Sequence, residues 1–445
     1  MSVRRVGFML EQFPALSETF VLQQVTGLID QGLDVRVFAN YPGRLDVQHG
    51  PVASYKLAER TTYMSIPSAS GVREESVFPL WQQTWIDEEQ KFRRNAGRIL
   101  AAVPMLARSL LRAPRATMDV LDSRAYGYHA NSLSSLYRLN SVAALGCHMD
   151  VAHSHFGPVG RAFQFVRKLW HSPHVVTFHG FDFSSWPRKF GASAYTGLFA
   201  SADLVTIHSD FGRSRLVALG CPAEKIRIHP CGVDLDVFRR LRQPGSENGA
   251  GPVVVLTVGR MVEKKGILEA VEAIDIARRS APNLVYEVIG DGPLRDNIRT
   301  AIADRGLSDH VILHGARDTD FVRERMPAAD IFLLPSQTAA DGDEEGTPVS
   351  LLEAQAAGLP VISTHHAGIP EIVLDGESGL LVSERAPAEI ATALTTLVSD
   401  GARRDAMGQC GQAFMARNHD IHKLNRSLCD LYAEAGERFA AGYRP

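Results

Sequence analysis

Two glutamates separated by seven residues, Glu345 and Glu353, are the side chains whose type and spacing point most directly to chemistry. A short apolar run at 331–334 precedes them and is typical of a buried strand, while a helical pattern begins after Thr347. Glu345 is therefore predicted on a loop above the carboxyl end of a strand, and Glu353 about two turns into the next helix. The free N–H groups at the start of that helix suit a phosphate. One carboxylate can then reach sugar hydroxyls and the other ribose hydroxyls, which is the outline of a nucleotide-sugar site.

Two cations follow the first predicted strand of the second half of the chain. After Val253–Val258 the chain turns at Gly259 and enters a helix, so Arg260 and Lys265 emerge at the carboxyl end of that strand. Cleavage of a nucleotide sugar leaves a diphosphate, and two fixed cations stabilise its growing negative charge. Lys264 is the competing candidate for the second cation.

A histidine, His179, ends a predicted strand of the first half, and Gly180 after it leaves room for a sugar to approach the backbone. Asp182 either belongs to the same surface or orients His179 and caps the turn. The preceding strand ends in His153 and His155, of which His155 is predicted to line the cleft and His153 to lie in the core. These two histidines have no third ligand at a suitable spacing, so no metal site is predicted.

The loop after the first strand, 14–20, lacks the G-x-G-x-x-G pattern of a dinucleotide-binding domain, which argues against a nicotinamide enzyme. Within this loop, Ser17 is a plausible helix N-cap. A G-x-G sequence after a later strand ends at Gly292 and predicts a tight turn that opens a helix, with Gly292 near the ligand.

The spaced glutamates and the arginine–lysine pair together resemble the signature of retaining glycosyltransferases of family four, which have the GT-B fold. The string from Asp341 to Glu371 is similar to that of the subgroup that builds bacterial exopolysaccharides such as colanic acid. The resemblance implies catalytic roles for His179, Glu345, Arg260 and Lys265. It implies donor binding by Glu353, Gly346, Thr347, Val349 and Gly292. It places on the acceptor side Ser17, Glu18, His155 and Asp182. The subgroup carries a loop similar to that of Ser17 and Glu18, which implies contact of this loop with the acceptor or with a donor phosphate.

The resemblance also implies that the nucleotide sugar is a co-substrate and that neither a metal nor another cofactor is needed. The chain departs from the family pattern at two places. Pro348 has no backbone N–H, so a phosphate must be held by the other amides of that segment. Cys231 stands where an asparagine is common. Both departures leave the donor open, and the segment 315–318 is the predicted place of base recognition.

The bulk properties of the chain fit this interpretation. A length of 445 residues predicts two domains, and 45% hydrophobic and 22% charged residues are typical of a globular protein. The net charge of −3 argues against a nucleic-acid partner. Five scattered cysteines without a C-x-x-C pair predict neither a disulfide framework nor a zinc site. No signal-peptide core and no membrane-spanning run is present in the sequence, so we expect a cytoplasmic protein, peripheral on the inner face of the plasma membrane.

Strand-like and helix-like runs alternate, which predicts α/β architecture with parallel sheets and crossover helices. With the resemblance, this gives a GT-B fold of two Rossmann-like, doubly wound domains that face each other across a cleft. The predicted acceptor domain is 1–241, the polar linker is 242–251 and the nucleotide-sugar domain is 252–415. The segment 416–445 has helical spacing, and by resemblance its helix crosses back to the first domain. The predicted strands are Val6–Leu10, Val35–Ala39, Val151–His155, Val175–His179, Leu204–His208, Val253–Val258, Val285–Ile289, Val311–His314, Ile331–Leu334, Val361–Ser363 and Leu380–Val382.

An inserted region around 55–145 stands outside the resemblance. From Lys91 to Arg115 it carries basic residues and no acid, its apolar residues fall roughly on one helical face, and Pro104 is expected to kink or restart the helix. Such a stretch fits an anionic membrane surface. It fits equally well an inserted helix that packs on the first domain and leaves a solvated basic face.

The activity implied by the resemblance is transfer of a hexose, with retention, from a nucleoside diphosphate sugar to a saccharide acceptor. The acceptor is expected to be lipid-linked and to belong to exopolysaccharide or lipopolysaccharide biosynthesis. One alternative is another GT-B enzyme, such as a nucleotide-sugar epimerase. Another is a non-catalytic, nucleotide-sugar-binding subunit of a polysaccharide assembly complex. The complete charged set favours the transferase: Arg260, Lys265, Glu345 and Glu353.

Overall fold

The computed structural model of the protein describes residues 3–15, 18–43, 50–64, 96–238 and 251–442. Ser17, the basic residues from Lys91 to Arg94 and all but the last residue of the predicted linker lie outside these ranges.

The first domain is built on a seven-stranded parallel sheet with the order β3-β2-β1-β4-β5-β6-β7. All five residues of β4 are buried, as expected of a strand that helices cover on both faces. The strand order changes direction between β1 and β4, where open α/β sheets form a ligand crevice. The strands are β1 Arg5–Phe13, β2 Asp34–Pro42, β3 Thr61–Tyr63, β4 Val151–His155, β5 His174–Thr177, β6 Leu204–Ile207 and β7 Ile226–Ile228.

The second domain repeats this plan with six parallel strands in the order β10-β9-β8-β11-β12-β13, and its order changes direction between β8 and β11. The predicted class of two doubly wound α/β domains is therefore confirmed. The strands are β8 Val253–Val258, β9 Leu284–Ile289, β10 Val311–Gly315, β11 Ile331–Leu333, β12 Val361–Thr364 and β13 Gly379–Val382.

The inserted region of the first domain contributes β3 in its first described part, 55–64, and is mainly helical from Ala96 onward. Its longest helix, α3, continues through Pro104 and does not restart there, contrary to one of the two sequence expectations. Ala102 and Ser109 in α3 are buried, and Asn140 in α7 donates a hydrogen bond to the Ser109 hydroxyl. The helices of this domain are α1 Thr19–Asp30, α2 Gly50–Ser54, α3 Ala96–Arg112, α4 Pro114–Val120, α5 Ser123–Tyr126, α6 Tyr128–Asn131, α7 Ser134–Ala144, α8 Gly157–Phe163, α9 Val166–Trp170, α10 Ser185–Phe190, α11 Thr196–Ser201, α12 Asp210–Ala218 and α13 Leu235–Phe238.

The last helix, α20, packs on the first domain although it follows the second in sequence. The Tyr432 hydroxyl lies 2.7 Å from Nδ1 of His153, and the Asn425 amide donates to the carbonyl of Gln23 at 3.2 Å. No helix within the described ranges is long and apolar enough to span a bilayer. The remaining helices are α14 Ile267–Ala277, α15 Arg295–Asp304, α16 Thr319–Arg325, α17 Val349–Ala356, α18 Pro387–Ser399, α19 Gly401–Asn418 and α20 Ile421–Gly442.

Candidate active site

The carboxyl ends of the two sheets face each other, and their loops meet at two glycines. A Cβ atom on Gly346 would lie 1.4 Å from the carbonyl oxygen of His179, and one on Gly180 would lie 3.0 Å from the backbone nitrogen of Gly346. Only glycine allows the backbone of Gly346 to approach His179 this closely. The segment that carries Glu345 is therefore placed directly against the strand-end loop of the other domain.

Three consecutive acids at this contact each have a cation of their own. The lysine pairs lie within the second domain, whereas Arg215 belongs to α12 of the first domain and its ion pair crosses the cleft. The pairs are Lys264 Nζ with Asp343 Oδ2 at 3.0 Å, Arg215 Nη2 with Glu344 Oε1 at 2.8 Å, and Lys265 Nζ with Glu345 Oε1 at 2.6 Å. The structure thus separates the two candidate lysines, because Lys265 contacts the candidate catalytic acid and Lys264 contacts Asp343.

Glu345 is buried and charged. Burial alone would raise the pKa of its carboxyl, but the ammonium groups of Lys265 and Lys264 outweigh burial and lower the pKa to about 2. Burial also lowers the pKa of Lys265, and Glu345 opposes that shift. The Ser336 hydroxyl donates to Oε1 of Glu345 at 3.3 Å. The carboxylate can therefore accept hydrogen bonds from sugar hydroxyls at neutral pH, but it cannot donate a proton.

Glu353 lies in α17 at a cavity of about 230 Å³ between the two domains. Burial raises the pKa of its carboxyl to about 7, and the Arg323 guanidinium opposes this shift. The cavity is also lined by Thr19, Gln23 and Asp318. Asp318 belongs to the segment predicted for base recognition, and its carboxylate caps α16 by accepting the Phe321 N–H at 2.9 Å.

The start of α17 offers polar groups for a ligand. Its N-cap is Pro348, and the first N–H groups of a helix have no partner within the helix. The hydroxyl oxygen of Thr347 is buried and has no hydrogen-bond partner among the described residues. The Thr347 hydroxyl and the first two amides of α17, those of Val349 and Ser350, are therefore available to a phosphate. The Leu351 N–H already donates to the Pro348 carbonyl at 3.0 Å, and Pro348 itself has no N–H to offer.

Arg260 lies on the opposite rim from Glu18. Burial raises the pKa of Glu18 to about 7, and Arg260 acts against that shift, which puts the two side chains within electrostatic reach. A Cβ on Gly292 would lie 2.6 Å from the carbonyl oxygen of Met261, so this glycine permits the turn to pack against the loop that carries Arg260.

Three histidines form a hydrogen-bonded row beneath the cleft. His208 Nδ1 lies 2.8 Å from the carbonyl oxygen of His229, so this nitrogen must be the donor. Its Nε2 then accepts from His179 Nδ1 at 3.0 Å, and His179 Nε2 accepts from His155 Nδ1 at 3.1 Å. Burial lowers the pKa values of these three rings, which therefore stay neutral.

This row changes the roles predicted for two residues. Both ring nitrogens of His179 are engaged, so a sugar hydroxyl that binds Nε2 must displace His155. His155 is fully buried and stacks on Phe8. It does not line the cleft as predicted, because the rings of Phe8, Phe20 and His179 pack around it. His153 is also fully buried and hydrogen-bonds Thr177 and Tyr432, in keeping with its predicted place in the core.

Asp182 does not face an acceptor. Its carboxylate accepts N–H groups from His179 and Gly180, at 2.9 and 2.8 Å, and from Gly157 at 3.1 Å. Burial raises the pKa of Asp182 to about 6, against the effect of these hydrogen bonds. Of the two roles left open by the sequence, the structure thus favours fixing of the turn after His179 over contact with an acceptor.

The predicted site residues include no metal cluster. Within the described ranges, the group whose donors could hold a metal ion is Asp234, Asp236 and His422, whose ligand atoms lie within 4.8 Å of one another. This group lies where the chain enters α13 and α20, and it contains none of the predicted catalytic residues.

Comparison with known proteins identifies the class. Two Rossmann-like domains that meet at their strand ends, with fixed cations and spaced acids between them, have the architecture of GT-B glycosyltransferases. The family model for glycosyl transferases group 1 matches residues 239–414, and that for glycosyltransferase family 4 matches residues 122–237. The chain belongs to glycosyltransferase family four.

Two of its relatives match over nearly the whole length. WcaL of Escherichia coli K12, a glycosyltransferase assigned to colanic acid biosynthesis, is 34% identical over 96% of this chain and 99% of its own. The amylovoran biosynthesis glycosyltransferase AmsK of Erwinia amylovora is 34% identical over 96% of this chain and 98% of its own. The crystal structure of Anabaena Alr3699/HepE with UDP and glucose shares the fold, with a TM-score of 0.68 at 16% identity over 97% of this chain and 99% of that one.

Proposed function

We propose that the protein is a retaining glycosyltransferase that moves a hexosyl group from a nucleoside diphosphate sugar to a saccharide acceptor on a lipid. Its pathway would be bacterial exopolysaccharide or lipopolysaccharide assembly. The observation that carries the proposal is the buried pair of Lys265 and Glu345 at the contact between the two domains, with a nitrogen–oxygen distance of 2.6 Å. The names of WcaL and AmsK, which refer to colanic acid and amylovoran, support the pathway.

The donor would lie along the second domain. Glu353 would hold the ribose from the cavity wall, while Arg260, Lys265 and the amides at the start of α17 would hold the diphosphate. The hydroxyl of Thr347, which has no partner in the part of the chain that the structure describes, supports a phosphate at this place. Glu345 would accept hydrogen bonds from the sugar, because its carboxylate is ionised and lies at the domain contact.

The reaction would proceed on one face of the sugar. The acceptor oxygen forms a bond to the anomeric carbon on the face from which the diphosphate oxygen departs. The electron pair of the broken bond goes to the diphosphate, and a diphosphate oxygen takes the proton of the acceptor hydroxyl. Arg260 and Lys265 stabilise the charge that develops on the leaving group. Contact between Gly180 and Gly346 would exclude water and so limit hydrolysis of the donor.

A ridge on the inserted helices supports a membrane partner. The ridge consists of the exposed residues of α3 and α4, and we call it the α3–α4 ridge. Its large apolar side chains are 40 to 87% exposed and comprise Leu100, Val103, Leu110, Leu111 and Met118. The exposed cations beside them are Arg108, Arg112 and Arg115. Because α3 also buries Ala102 against the domain, packing on the domain and binding of an anionic lipid surface are compatible.

The test is binding followed by turnover. The purified protein is melted with UDP, GDP, ADP, dTDP or NAD, and a true ligand at a hundred times its dissociation constant adds roughly 2.7 kcal/mol of stability. Release of nucleoside diphosphate is then measured from the matching nucleotide sugars, and the anomeric configuration of the product is read by NMR. A shift with one nucleoside diphosphate and a retained configuration are expected.

Each alternative function predicts a different outcome of this experiment. Binding without any release would indicate a non-catalytic subunit, and conversion of the donor sugar without an acceptor would indicate an epimerase. A shift with NAD alone, or with no nucleotide, would overturn the proposal. Lys265→Ala should abolish release, whereas Lys189→Ala, a change at an exposed lysine of α10, should leave it unchanged.

A further inference from the structure

Two adjacent histidines, His365 and His366, follow β12 and differ completely in environment. His365 is exposed, whereas His366 is 1% exposed and lies beneath the loop that carries Glu345. The backbone N–H of Glu345 donates a hydrogen bond to Nε2 of His366 at 3.1 Å. His366 thus touches the main chain of the candidate catalytic acid, and no role was predicted for it from the sequence.

The partners of His366 fix its tautomer. Because Nε2 accepts from Glu345, the ring proton must lie on Nδ1, which donates to Oε1 of Glu384 at 2.7 Å. The other oxygen of Glu384 accepts the Thr338 N–H at 2.8 Å. Burial would raise the pKa of Glu384, but the hydrogen bonds from Thr338 and His366 lower it below its ordinary value. A charged carboxylate therefore keeps the ring in the form whose Nε2 can accept.

The hydrogen bond from the Glu345 N–H to His366 matters because Lys265, the partner of the Glu345 side chain, has a second task in the proposed reaction. In the structure, Lys265 holds the carboxylate of Glu345 at 2.6 Å. In the proposed reaction, the same ammonium group also binds the departing diphosphate. When the diphosphate draws Lys265 toward itself, the hydrogen bond from the Glu345 N–H to His366 remains and holds the loop against Gly180.

We propose that His366 is a positioning residue for transfer: its Nε2 holds the backbone of Glu345 so that the carboxylate meets the sugar. Glu384 in turn keeps the His366 ring in the accepting tautomer. The inference rests on the proposed function, since it assigns the sugar contact to Glu345. Such support by neighbouring groups is a general requirement for a precisely held site.

Two variants of His366 separate its two hydrogen bonds. In His366→Gln, the amide oxygen stands as many bonds from Cα as Nε2 does and can accept the Glu345 N–H. In His366→Asn, the amide nitrogen replaces Nδ1 and can donate to Glu384, but the acceptor for Glu345 is lost. We expect His366→Asn to lower kcat by about a hundredfold, the typical effect of a misplaced catalytic group. His366→Gln should lose no more than about fivefold, the equivalent of one neutral hydrogen bond.

Amide hydrogen exchange gives a readout that does not depend on activity. The peptide that contains Glu345 should exchange faster in His366→Asn and at the wild-type rate in His366→Gln. His365→Asn, at the exposed neighbour, should leave both turnover and exchange unchanged. Equal exchange in wild type, His366→Asn and His366→Gln would overturn the role of His366. An equal loss of kcat in the two His366 variants would overturn it as well. A wild-type protein that releases no nucleoside diphosphate from any donor would instead overturn the proposed function.

Discussion

The ammonium group of Lys265 has two partners in the proposed reaction, the carboxylate of Glu345 and the diphosphate of the donor. The ion pair with Glu345 is buried, and Lys265, together with Lys264, lowers the pKa of that carboxyl against the effect of burial. Glu345 therefore competes with the leaving group for Lys265 while it also holds the sugar. Replacement of Glu345 should affect these two tasks in opposite directions.

In Glu345→Gln we expect turnover to fall by about a hundredfold, because the sugar loses a charged acceptor at the reacting end. The affinity for the nucleoside diphosphate alone should rise by about tenfold, because Lys265 no longer has an anionic competitor. Steady-state kinetics and calorimetric titration measure the two quantities. Glu377→Gln, at an exposed glutamate of the same domain, is the control. A variant with turnover within a few-fold of wild type, or with lower affinity for the diphosphate, would contradict the assigned role of Glu345.

Glu353 is a candidate site residue whose burial lowers the free energy of unfolding at alkaline pH. Its pKa is raised from 4.5 to about 7, so the folded protein holds a proton that the unfolded chain releases between these values. The free energy of unfolding therefore falls as the pH rises through this window. Glu353→Gln cannot ionise, so at pH 8 it should be more stable than wild type by up to about 3 kcal/mol.

The gain from Glu353→Gln should shrink as the pH is lowered toward 4.5, and the variant should bind nucleoside diphosphates more weakly because the ribose loses its carboxyl partner. Urea denaturation at pH 5 and pH 8 measures the first effect, and calorimetric titration measures the second. Glu18, whose pKa is also raised to about 7, is present in both proteins and cancels in the comparison. An identical pH dependence of stability in the two proteins would show that Glu353 is not held in its protonated form.

At the scale of elements, long buried strands were predictable and short edge strands were not. The bounds of β4 and β8 agree with the prediction, because all five residues of β4 are buried and β8 is a nearly continuous apolar run. The strands β3 and β7 were missed. Each has only three residues, and each lies at an edge of its sheet, where burial on one side leaves no clear pattern.

The inserted helices show a second limit of prediction from sequence. Helical spacing identified an apolar face on α3 but could not say what the face touches. In the structure, one side of α3 is buried through Ala102 and the opposite side leaves Leu100 and Leu111 exposed. Only the position of the helix on the domain separates these two sets of residues.

The α3–α4 ridge leads to a prediction about membrane binding. Replacement of its three exposed arginines by glutamine should weaken sedimentation with anionic vesicles by about a hundredfold, since each basic residue near such a surface contributes roughly 1 kcal/mol. Serine in place of Leu100 and Leu111 should weaken sedimentation on anionic vesicles as well, because less apolar area enters the interface. The arginine effect should fade in high salt, whereas the leucine effect should persist.

In the matched control, glutamine replaces three exposed arginines that lie in α15 and α19, namely Arg299, Arg403 and Arg417. It changes the net charge by the same amount at a distance from the ridge, and it should sediment like wild type. Unchanged sedimentation of the ridge variants would leave the ridge as a solvated face and would contradict a membrane partner at this place.

At the scale of the whole molecule, the functional contacts that sequence reasoning missed join distant parts of the chain. Arg215 and Glu344 are 129 residues apart, and the Glu344 N–H donates to the Ser184 hydroxyl at 3.1 Å across 160 residues. Neither contact could be predicted from a local spacing in the sequence. The segment from Asp341 to Glu371 contributed to the family resemblance. No role was predicted for Glu371, because its partners lie in the other domain.

Glu371 caps a helix of the opposite domain. Its two carboxylate oxygens accept the N–H groups of Asp210 and Phe211 at the start of α12, both at 2.8 Å. A carboxylate at a helix N-terminus contributes about 1–2 kcal/mol. Together with the ion pair of Arg215 and Glu344, this contact holds the domains in the arrangement in which Gly180 touches Gly346.

Glu371→Ala should therefore shift the protein toward an open cleft and admit water to the bound donor. We expect the ratio of donor hydrolysis to transfer to rise by roughly tenfold, the equivalent of the lost 1–2 kcal/mol, and the radius of gyration from small-angle scattering to increase. Arg215→Gln should change both quantities in the same direction, because it breaks the neighbouring contact between the domains. Glu377→Ala, at an exposed glutamate six residues away, should change neither. An unchanged ratio in Glu371→Ala would mean that this helix cap does not contribute to closure.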